Sequence, residues 1–359
     1  MADYSVIIVS RTPLEEGDNP GATFVELGPV VDPSNLTWTN KLNREQELSF
    51  ACDPTKLQDD IKTRLRDLYN HPCEVWVYRD DELVFVGPLV AYTASGNLLK
   101  IQAKGLLYYF RYLDTRWMGY SDGWAWVEDK YDQIRRLVRE LYTNWQYYSV
   151  FHGIQHDLFN PDRELHGETM TVVWGDNQEK TAYDLIIDIA EQGGFDFDID
   201  LKTRRFLFWS PRGSDLSNTV FMDSRNIDEY EVFVSVGPED VANTIHVWGK
   251  SQSARYSVVE GAPDPANFGT IHRGVTVDHD QNLDVIAQAY HDAHAKQLVR
   301  PGGSFLPVVG AGPTDFDVGD SITFSYDFGL GPFTGVYRVV TKKVDVDDLG
   351  QESISVEFE

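Results

Sequence analysis

The stretch from Phe316 to Glu359 alternates apolar and polar residues, and this pattern constrains the fold more than any other feature of the sequence. Its apolar positions recur at every second residue, at Ile322, Phe324, Tyr326, Val344, Val346, Ile354, Val356 and Phe358. This period is typical of half-buried antiparallel strands. Turn-forming residues separate the strands at Gly319-Asp320 and at Asp347–Gly350. We therefore predict a small β-barrel at this end of the sequence.

The first 104 residues carry a similar pattern. Phe24–Val31 reads as a strand that a turn cluster follows. The segment 53–71 predicts a helix, because four leucine and isoleucine residues share one face, at Leu57, Ile61, Leu65 and Leu68. A hairpin then turns at Arg79–Asp81, and Pro88 within its second strand indicates a sheet edge or a bulge.

The middle of the chain mixes helices and strands. Residues from Gly105 onward are rich in aromatic side chains, and an amphipathic helix begins near Tyr131. Residues 150–180 look loop-rich. A further helix follows, with Thr181 as its predicted cap and Gly193-Gly194 as its stop, and a hairpin turns at Leu201–Thr203. Residues 282–303 predict a helix that ends at Pro301–Gly303.

These patterns predict an α+β fold that is mainly β, with two tube-like antiparallel β-barrel domains on either side of a mixed α/β middle region. We expect an N-terminal β-barrel domain at 1–104 and an aromatic-rich helical and loop insertion at 105–180. A small α+β domain at 181–245 and a C-terminal β-barrel domain with one helix at 246–359 complete the division.

Charge and cysteine content exclude several functions. The formal net charge of -26 argues against a surface that grips nucleic acid or an anionic membrane. The two cysteines, Cys52 and Cys73, are too few for a disulfide framework. They could pair if strands bring them together, but we expect two free buried thiols in a reducing compartment. The N-terminus lacks the pattern of a signal peptide and no run is long enough to span a membrane. We therefore expect folding in a cytoplasm and no stable membrane insertion.

Candidate chemistry is sparse. Trp117, Trp124, Trp126 and Trp145 lie in the aromatic tract, where they could stack on sugar rings or fill a core or subunit interface. His291 and His294 have a spacing that could share a metal, but we expect a solvated helix face. Asp196 and Asp198 alternate with Phe195 and Phe197, which predicts two carboxylates on the outer face of a strand rather than a glycosidase pair. Motifs of hydrolases and nucleotide-binding proteins are absent from the sequence, so we expect no catalytic residue, metal or cofactor.

Taken together, several stretches resemble the baseplate-hub or tail-tip hub proteins of tailed bacteriophages, including siphophage minor tail proteins. They are "LTWTNKLNREQELSF", the hairpin region "EVWVYRDDELVFVGPLVAYTASGNLLKIQAKGLLYYFRYL", the helix region "TAYDLIIDIAEQGGFDFDID" and the closing strands. The likeness covers most of the chain and is weakest at 113–180.

The resemblance implies a homotrimer at the distal end of a tail tube. Two tube-like barrels in each of three subunits would form a pseudo-sixfold ring that joins a sixfold tube to a threefold tip. The implied partners are the distal tail protein, the tape-measure protein and tail-tip, fibre or receptor-binding proteins. DNA would pass an acidic lumen without specific binding, and any lysin activity would reside on another protein. A cell-wall carbohydrate-binding or glycan-cleaving protein is the alternative, and a secreted enzyme is disfavoured.

Overall fold

The computed structural model describes residues 2–13, 22–112, 124–143, 155–159, 169–174, 181–235, 241–242, 244–249, 251, 253–257, 271–277, 283–294, 298–308, 310–327, 329 and 332–359. It is mainly β, with 52% strand and 19% helix, so the predicted mainly β class is confirmed. The chain divides into two compact units. Unit 1 comprises Met1–Asp228 and Ser304–Val356, and unit 2 comprises Glu229–Gly303 and Glu357–Glu359.

Unit 1 begins with strands and one short helix. The elements are β1 (Tyr4–Pro13), β2 (Ala22–Pro29), β3 (Ser34–Lys41), β4 (Glu47–Cys52), α1 (Asp59–Arg66), β5 (Cys73–Arg79), β6 (Glu82–Ser95) and β7 (Leu98–Lys104). Leu57, Ile61 and Leu65 are buried, as their helical spacing predicts. The helical segment is shorter than predicted. A 3-10 turn at Pro54–Lys56, capped by the Asp53 side chain, precedes α1.

The middle of unit 1 holds the longer helices. A 3-10 helix (Leu106–Tyr112) precedes β8 (Trp124–Asp129), α2 (Lys130–Thr143), β9 (Gln155–Phe159), β10 (Thr169–Trp174), α3 (Ala182–Gly193), β11 (Asp196–Ile199), β12 (Arg205–Trp209) and β13 (Phe221–Asp223). Strands β9 and β10 fall in the stretch that was predicted to be loop. The predicted start and end of α3 are confirmed: Thr181 and Asp184 form a capping box at the start, and Gly194 ends the helix at φ +60°.

Unit 2 is built around a three-stranded sheet. Its elements are β14 (Ile227–Ser235), β15 (Thr244–Trp248), β16 (Ser253–Ser257), β17 (His272–Thr276), α4 (Leu283–His294) and β18 (Leu298–Phe305). β15 lies between antiparallel β16 and parallel β17. Ile245 and Val247 of β15 pack with Leu283 and Ala287 of α4. The apolar residues of β15 thus alternate with outward-facing ones, as a half-buried strand requires.

The helix predicted after residue 282 is confirmed as α4 (Leu283–His294), but its predicted end at Pro301–Gly303 is wrong, because Pro301 lies within the strand β18. Proline has no amide proton and a fixed φ, so an extended segment accommodates it better than a helix interior does. Gly303 permits a close approach to β14, since a Cβ there would lie 2.4 Å from the Glu229 carbonyl oxygen. His291 is also buried rather than solvated, at 2% exposure.

The chain closes with β19 (Ser321–Asp327), β20 (Pro332–Val346) and β21 (Glu352–Phe358). Within unit 1 the paired strands follow the order β2-β1-β5-β6-β7-β4-β3-β20-β21, with β19 on β20 and β13 on β19. These described pairings form an open path, so the two predicted barrels are not confirmed. Every apolar position of the closing alternation is buried except Tyr326, which is half-buried.

Two long strands change partners along their length. Residues 82–88 of β6 pair with β5, and residues 89–95 pair with β7. A register shift between Leu89 and Ala91, just beyond Pro88, marks the change, so the predicted bulge is confirmed. In the described pairings β5 is the one partner strand of residues 82–88, so Pro88 also lies on a strand edge, as predicted. In β20, residues 332–338 pair with β19 and residues 341–346 pair with β3. Sequence-distant segments therefore form one continuous sheet.

An aromatic core lies beneath the helices of unit 1. It includes Phe195, Phe197, Phe206 and Phe208 of the β11–β12 hairpin, together with buried residues of α2, α3 and the 3-10 helix. Phe206 and Phe208 stack with ring centroids 6.1 Å apart. Part of the aromatic-rich sequence after Gly105 thus serves packing, because Tyr109 and Phe110 lie in this core.

Candidate functional site

A buried carboxylate joins three parts of unit 1. Glu74 of β5 has no exposed surface. Its Oε2 accepts hydrogen bonds from Trp76 Nε1 at 2.9 Å and from an Arg204 nitrogen at 2.5 Å. Its Oε1 accepts from the Tyr109 hydroxyl at 2.6 Å and from the other Arg204 nitrogen at 3.1 Å. Four donors therefore satisfy the one anion.

Arg204 reaches this site from the turn between β11 and β12, where its backbone adopts φ +57°. Its guanidinium also lies 4.0 Å from the centroid of the Phe24 ring. On the other side, Arg11 lies over the Tyr109 ring, and burial lowers the pKa of this arginine. Burial, together with the charge of Glu74, raises the pKa of Tyr109 well above its usual value. Tyr109 therefore stays a hydrogen-bond donor at any ordinary pH.

A second network covers the outer side of β11. Asp196 accepts hydrogen bonds from Asn43 Nδ2 at 2.8 Å and from the Arg212 backbone nitrogen at 2.7 Å, and it pairs with Arg338. Asp196 is 6% exposed, so the prediction that it faces solvent is wrong. The alternation correctly placed Asp196 on the face of β11 opposite the phenylalanines. That face is buried because Asn43, Arg212 and Arg338, which come from other segments, cover it.

The same network continues to Asp317. Arg212 bonds Asp198 at 2.6 Å and Asp317 at 2.8 Å, while Lys342 Nζ lies 3.0 Å from Asp317 Oδ1. Burial would raise the pKa of Asp317, but the charges of Lys342 and Arg212 outweigh it and hold this pKa at about 2. These groups line a cavity of about 410 Å³. Its paired carboxylates form a structural ion network rather than a poised acid–base pair.

A third contact joins the start of unit 1 to the closing strand. Arg79 of β5 bonds Glu352 of β21 through two nitrogens, at 2.6 and 3.1 Å, and the Tyr4 hydroxyl donates to the same carboxylate. Glu352 has only 9% of its side chain exposed. The hydrogen bond to Glu352 raises the pKa of Arg79. This bidentate pair fastens the β5–β6 hairpin to the closing strand.

The four tryptophans predicted as contacts are only partly described. Trp117 and Trp145 lie outside the described residues. The backbones of Trp124 and Trp126 lie in β8, paired with Trp174 and Val172 of β10. The structure therefore brings two of the four onto one strand, two residues apart, and their role as interface or glycan contacts stays a prediction.

Neither Glu74, Arg204 nor the ion network was predicted from the sequence. One signal for Glu74 was available, since it is the only charge in the run "CEVWVY", which is apolar on both faces of the strand. Such a position indicates a buried ion pair. Both cysteines are free and buried, as predicted.

Within the described part of the chain, no group of three or more histidine, cysteine or acidic residues is arranged to hold a metal ion. Among the same residues, no helix combines the length and apolar character needed to cross a membrane.

Similar folds occur in solved tail proteins. The 43 kDa tail protein of prophage MuSo2 from Shewanella oneidensis aligns with a TM-score of 0.62 and 10% identity, over 99% of this chain and 97% of its own. A tail protein from Neisseria meningitidis MC58 gives 0.59 and 10%, over 99% and 96%. The prophage tail protein gp18 from Listeria monocytogenes EGD-e gives 0.59 and 13%, over 98% and 94%.

No protein-family model matches the sequence. No curated protein matches it either. The fold nevertheless defines a class: the chain has the fold of phage tail proteins over nearly its whole length. The resemblance drawn from the sequence is confirmed at that level.

Proposed function

We propose that this chain is a structural, non-enzymatic subunit of a phage tail tip, a hub that assembles as a homotrimer at the distal end of the tail tube. The observation that carries this proposal is the fold. Each of three tail proteins matches at least 98% of this chain, and the chain in turn covers at least 94% of each of them. A shared fold of this extent supports a shared architectural role, although function resides in sites rather than in folds.

The contacts of unit 1 suit such a role. β20 pairs with β3, so the closing segment and the first strands belong to one sheet. The bidentate pair of Arg79 and Glu352 joins the same two parts of the sequence. Buried ion pairs of this kind resist local opening, because separating them leaves uncompensated charges. Such a block is suited to transmit force along a tail.

The charge of the chain supports a passage for DNA. At -26 it is unsuited to hold phosphates, and an acidic lumen would repel DNA at every step. We therefore propose an acidic channel through which the genome passes during ejection. The proposed partners are the distal tail protein, the tape-measure protein and tail-tip or fibre proteins, and the proposed location is the virion tail tip after assembly in the host cytoplasm.

Two tube-like barrels per subunit, at 1–104 and 246–359, belong to the same proposal. Three subunits would then form the pseudo-sixfold ring that joins a sixfold tube to a threefold tip. Such a ring is a closed cyclic assembly, so its interfaces repeat around one axis.

The test is the oligomeric state of the purified full chain. We expect light scattering after size-exclusion chromatography to give three times the 40.8 kDa mass of one chain, and electron microscopy to show a ring with a central channel. A monomer at every concentration, with no ring in particles that contain this protein, would refute the trimeric hub. A ring with basic walls would refute the acidic channel alone.

The role of the aromatic tract is tested separately. We propose that Trp117, Trp124, Trp126 and Trp145 contact a neighbouring subunit, and binding of cell-wall glycan is the alternative. If Trp124→Ala with Trp126→Ala weakens the trimer, the interface role is supported. If the trimer persists but binding to purified cell walls is lost, the glycan role replaces it.

A further inference from the structure

Two histidines meet on the outer face of the unit 2 sheet. His246 lies on β15 and His272 begins the parallel strand β17. Ile245 and Val247 point to the opposite face, where α4 packs. Their neighbour His246 is therefore directed away from the core, and His272 is exposed. The alternation of β15 thus places the His246 imidazole on the side of the sheet opposite α4, where His272 also lies.

The distance between the two rings suits a shared metal ion. His246 Nε2 lies 3.1 Å from His272 Nδ1. Two imidazole nitrogens that bind one metal side by side, each at about 2.0–2.1 Å, lie roughly 3.0–3.4 Å apart. A ligand pair with this spacing therefore exists without any movement of the backbone. The exposed His272 ring need only turn so that both lone pairs converge, and the broad rotation about χ2 of histidine permits this.

Trp248 orients one of these ligands. The His246 and Trp248 rings stack at an interplanar angle of 14°, with centroids 5.7 Å apart. The indole itself lies across Gly274, since a Cβ at that position would be 2.4 Å from the indole Cζ3. Gly274 thus leaves room for a flat indole, which in turn limits the orientations of His246. Restriction of this kind reduces the entropy lost when a ligand binds.

We propose that His246 and His272 form a two-imidazole site for a divalent transition metal, Zn²⁺ or Cu²⁺, with water completing the coordination. Imidazole suits these ions, whereas Mg²⁺ and Ca²⁺ prefer oxygen ligands. In the bound form both rings are neutral, with the proton of His246 on Nδ1 and that of His272 on Nε2. The proton shared in the hydrogen bond moves to the other nitrogen of its own ring, so no proton is released.

The bound ion would link β15 to β17 on the face opposite α4. Because the two ligands come together only in the folded sheet, binding stabilises the folded state by mass action. The site thereby gives unit 2 a metal-dependent resistance to unfolding. This inference does not depend on the tail-tip role, and its test does not measure oligomeric state.

The test is calorimetric titration of the full chain with ZnCl₂ and with CuSO₄, beside His272→Ala and the control His71→Ala. His71 lies in unit 1 and contacts Arg64 rather than another histidine. We expect one equivalent of metal to be lost in His272→Ala and retained in His71→Ala. The same ion should raise the unfolding temperature of the wild type but not of His272→Ala. Equal binding by wild type and His272→Ala, or no binding by either, would overturn the proposal.

Trp248→Phe provides an independent readout. Cu²⁺ quenches nearby indoles, so we expect Trp248→Phe to lose most of the Cu²⁺-dependent fluorescence change while it retains calorimetric binding. Circular dichroism of each variant confirms that it is folded. If His272→Ala were unfolded, the comparison of wild type with Trp248→Phe would test the proposal by itself. Cu²⁺-dependent quenching that survives in Trp248→Phe would show that the metal binds away from His246 and His272.

Discussion

Replacement of Glu74 by glutamine tests whether the buried ion pair holds unit 1 together. The two side chains have nearly the same shape, so the change removes charge and exchanges one oxygen for an amide nitrogen. Both carboxylate oxygens of Glu74 face only donors: Trp76 and Arg204 at one, Tyr109 and Arg204 at the other. Whichever way the amide turns, its NH₂ group meets an Arg204 nitrogen that can only donate, and of the other two partners only the Tyr109 hydroxyl can turn to accept from it.

The magnitude follows from burial. Glu74 has no exposed side-chain surface and Arg204 has 8%, so water cannot replace the lost partner. Breaking a buried pair of this kind costs about 3–5 kcal/mol. For a unit of this size, that corresponds to a Tm lowered by roughly 10 °C. The charge of Arg11, which lies over the Tyr109 ring, adds to the uncompensated positive charge.

The assay is differential scanning calorimetry of the full chain, with Glu47→Gln as the matched control. Glu47 lies on β4 and pairs with Lys41 and Lys104, but 42% of its side chain is exposed. Exposed pairs contribute at most about 1 kcal/mol, so the control should lose little. We also expect the double variant Glu74→Gln with Arg204→Met to lose less than the sum of its single changes, because both charges are then gone. A Glu74→Gln variant that is no less stable than Glu47→Gln would refute the reasoning.

Three further predictions rest on local contacts. Thr181→Ala removes the capping box of α3 and should lower the free energy of unfolding, measured by chemical denaturation, by about 1 kcal/mol. Thr181→Ser keeps the hydroxyl and should be neutral. An equal loss in both variants would contradict the capping role. Asp317 has a pKa of about 2, below its unfolded value of about 3.9, so its contribution is complete above pH 4 and is lost as the pH falls towards 2. Because 43% of its side chain is exposed, we expect Asp317 to contribute about 1 kcal/mol to the free energy of unfolding. The measurement is the free energy of unfolding against pH for wild type and Asp317→Asn. Parallel curves for the two proteins would contradict this contribution. Burial raises the thiol pKa of both Cys52 and Cys73 to about 11. Alkylation at pH 8 should therefore be slow until urea unfolds the chain. Rapid labelling of the native protein would contradict this, because it would show that the thiols are accessible.

Local chemistry explains most of what could be predicted from the sequence. The closing alternation, the hairpin tip at Arg79–Asp81 and the cap and stop of α3 depend on residues within a few positions of each other. Periodicity and turn chemistry act over this range, so a single sequence carries them. The free, buried state of the cysteines was expected from their small number and from a reducing compartment, while their pairing was left open.

The tertiary structure decided how those elements meet. Alternation places Asp196 on the second face of its strand, but only the arrival of Asn43 and Arg338 makes that face buried. The Pro301–Gly303 segment is compatible with a helix end or with a strand. It forms a strand in the fold, where β14 lies close against Gly303. The pairing of β20 with β3 joins residues about three hundred positions apart. Strand periodicity predicts which face of a strand is buried, but it does not predict which strand pairs with it. The sequence by itself therefore determined most of the strands and helices and the acidic character of this protein. The sheet order, the buried ion pairs and the meeting of His246 with His272 arose only from the fold, because each depends on groups that folding alone brings together.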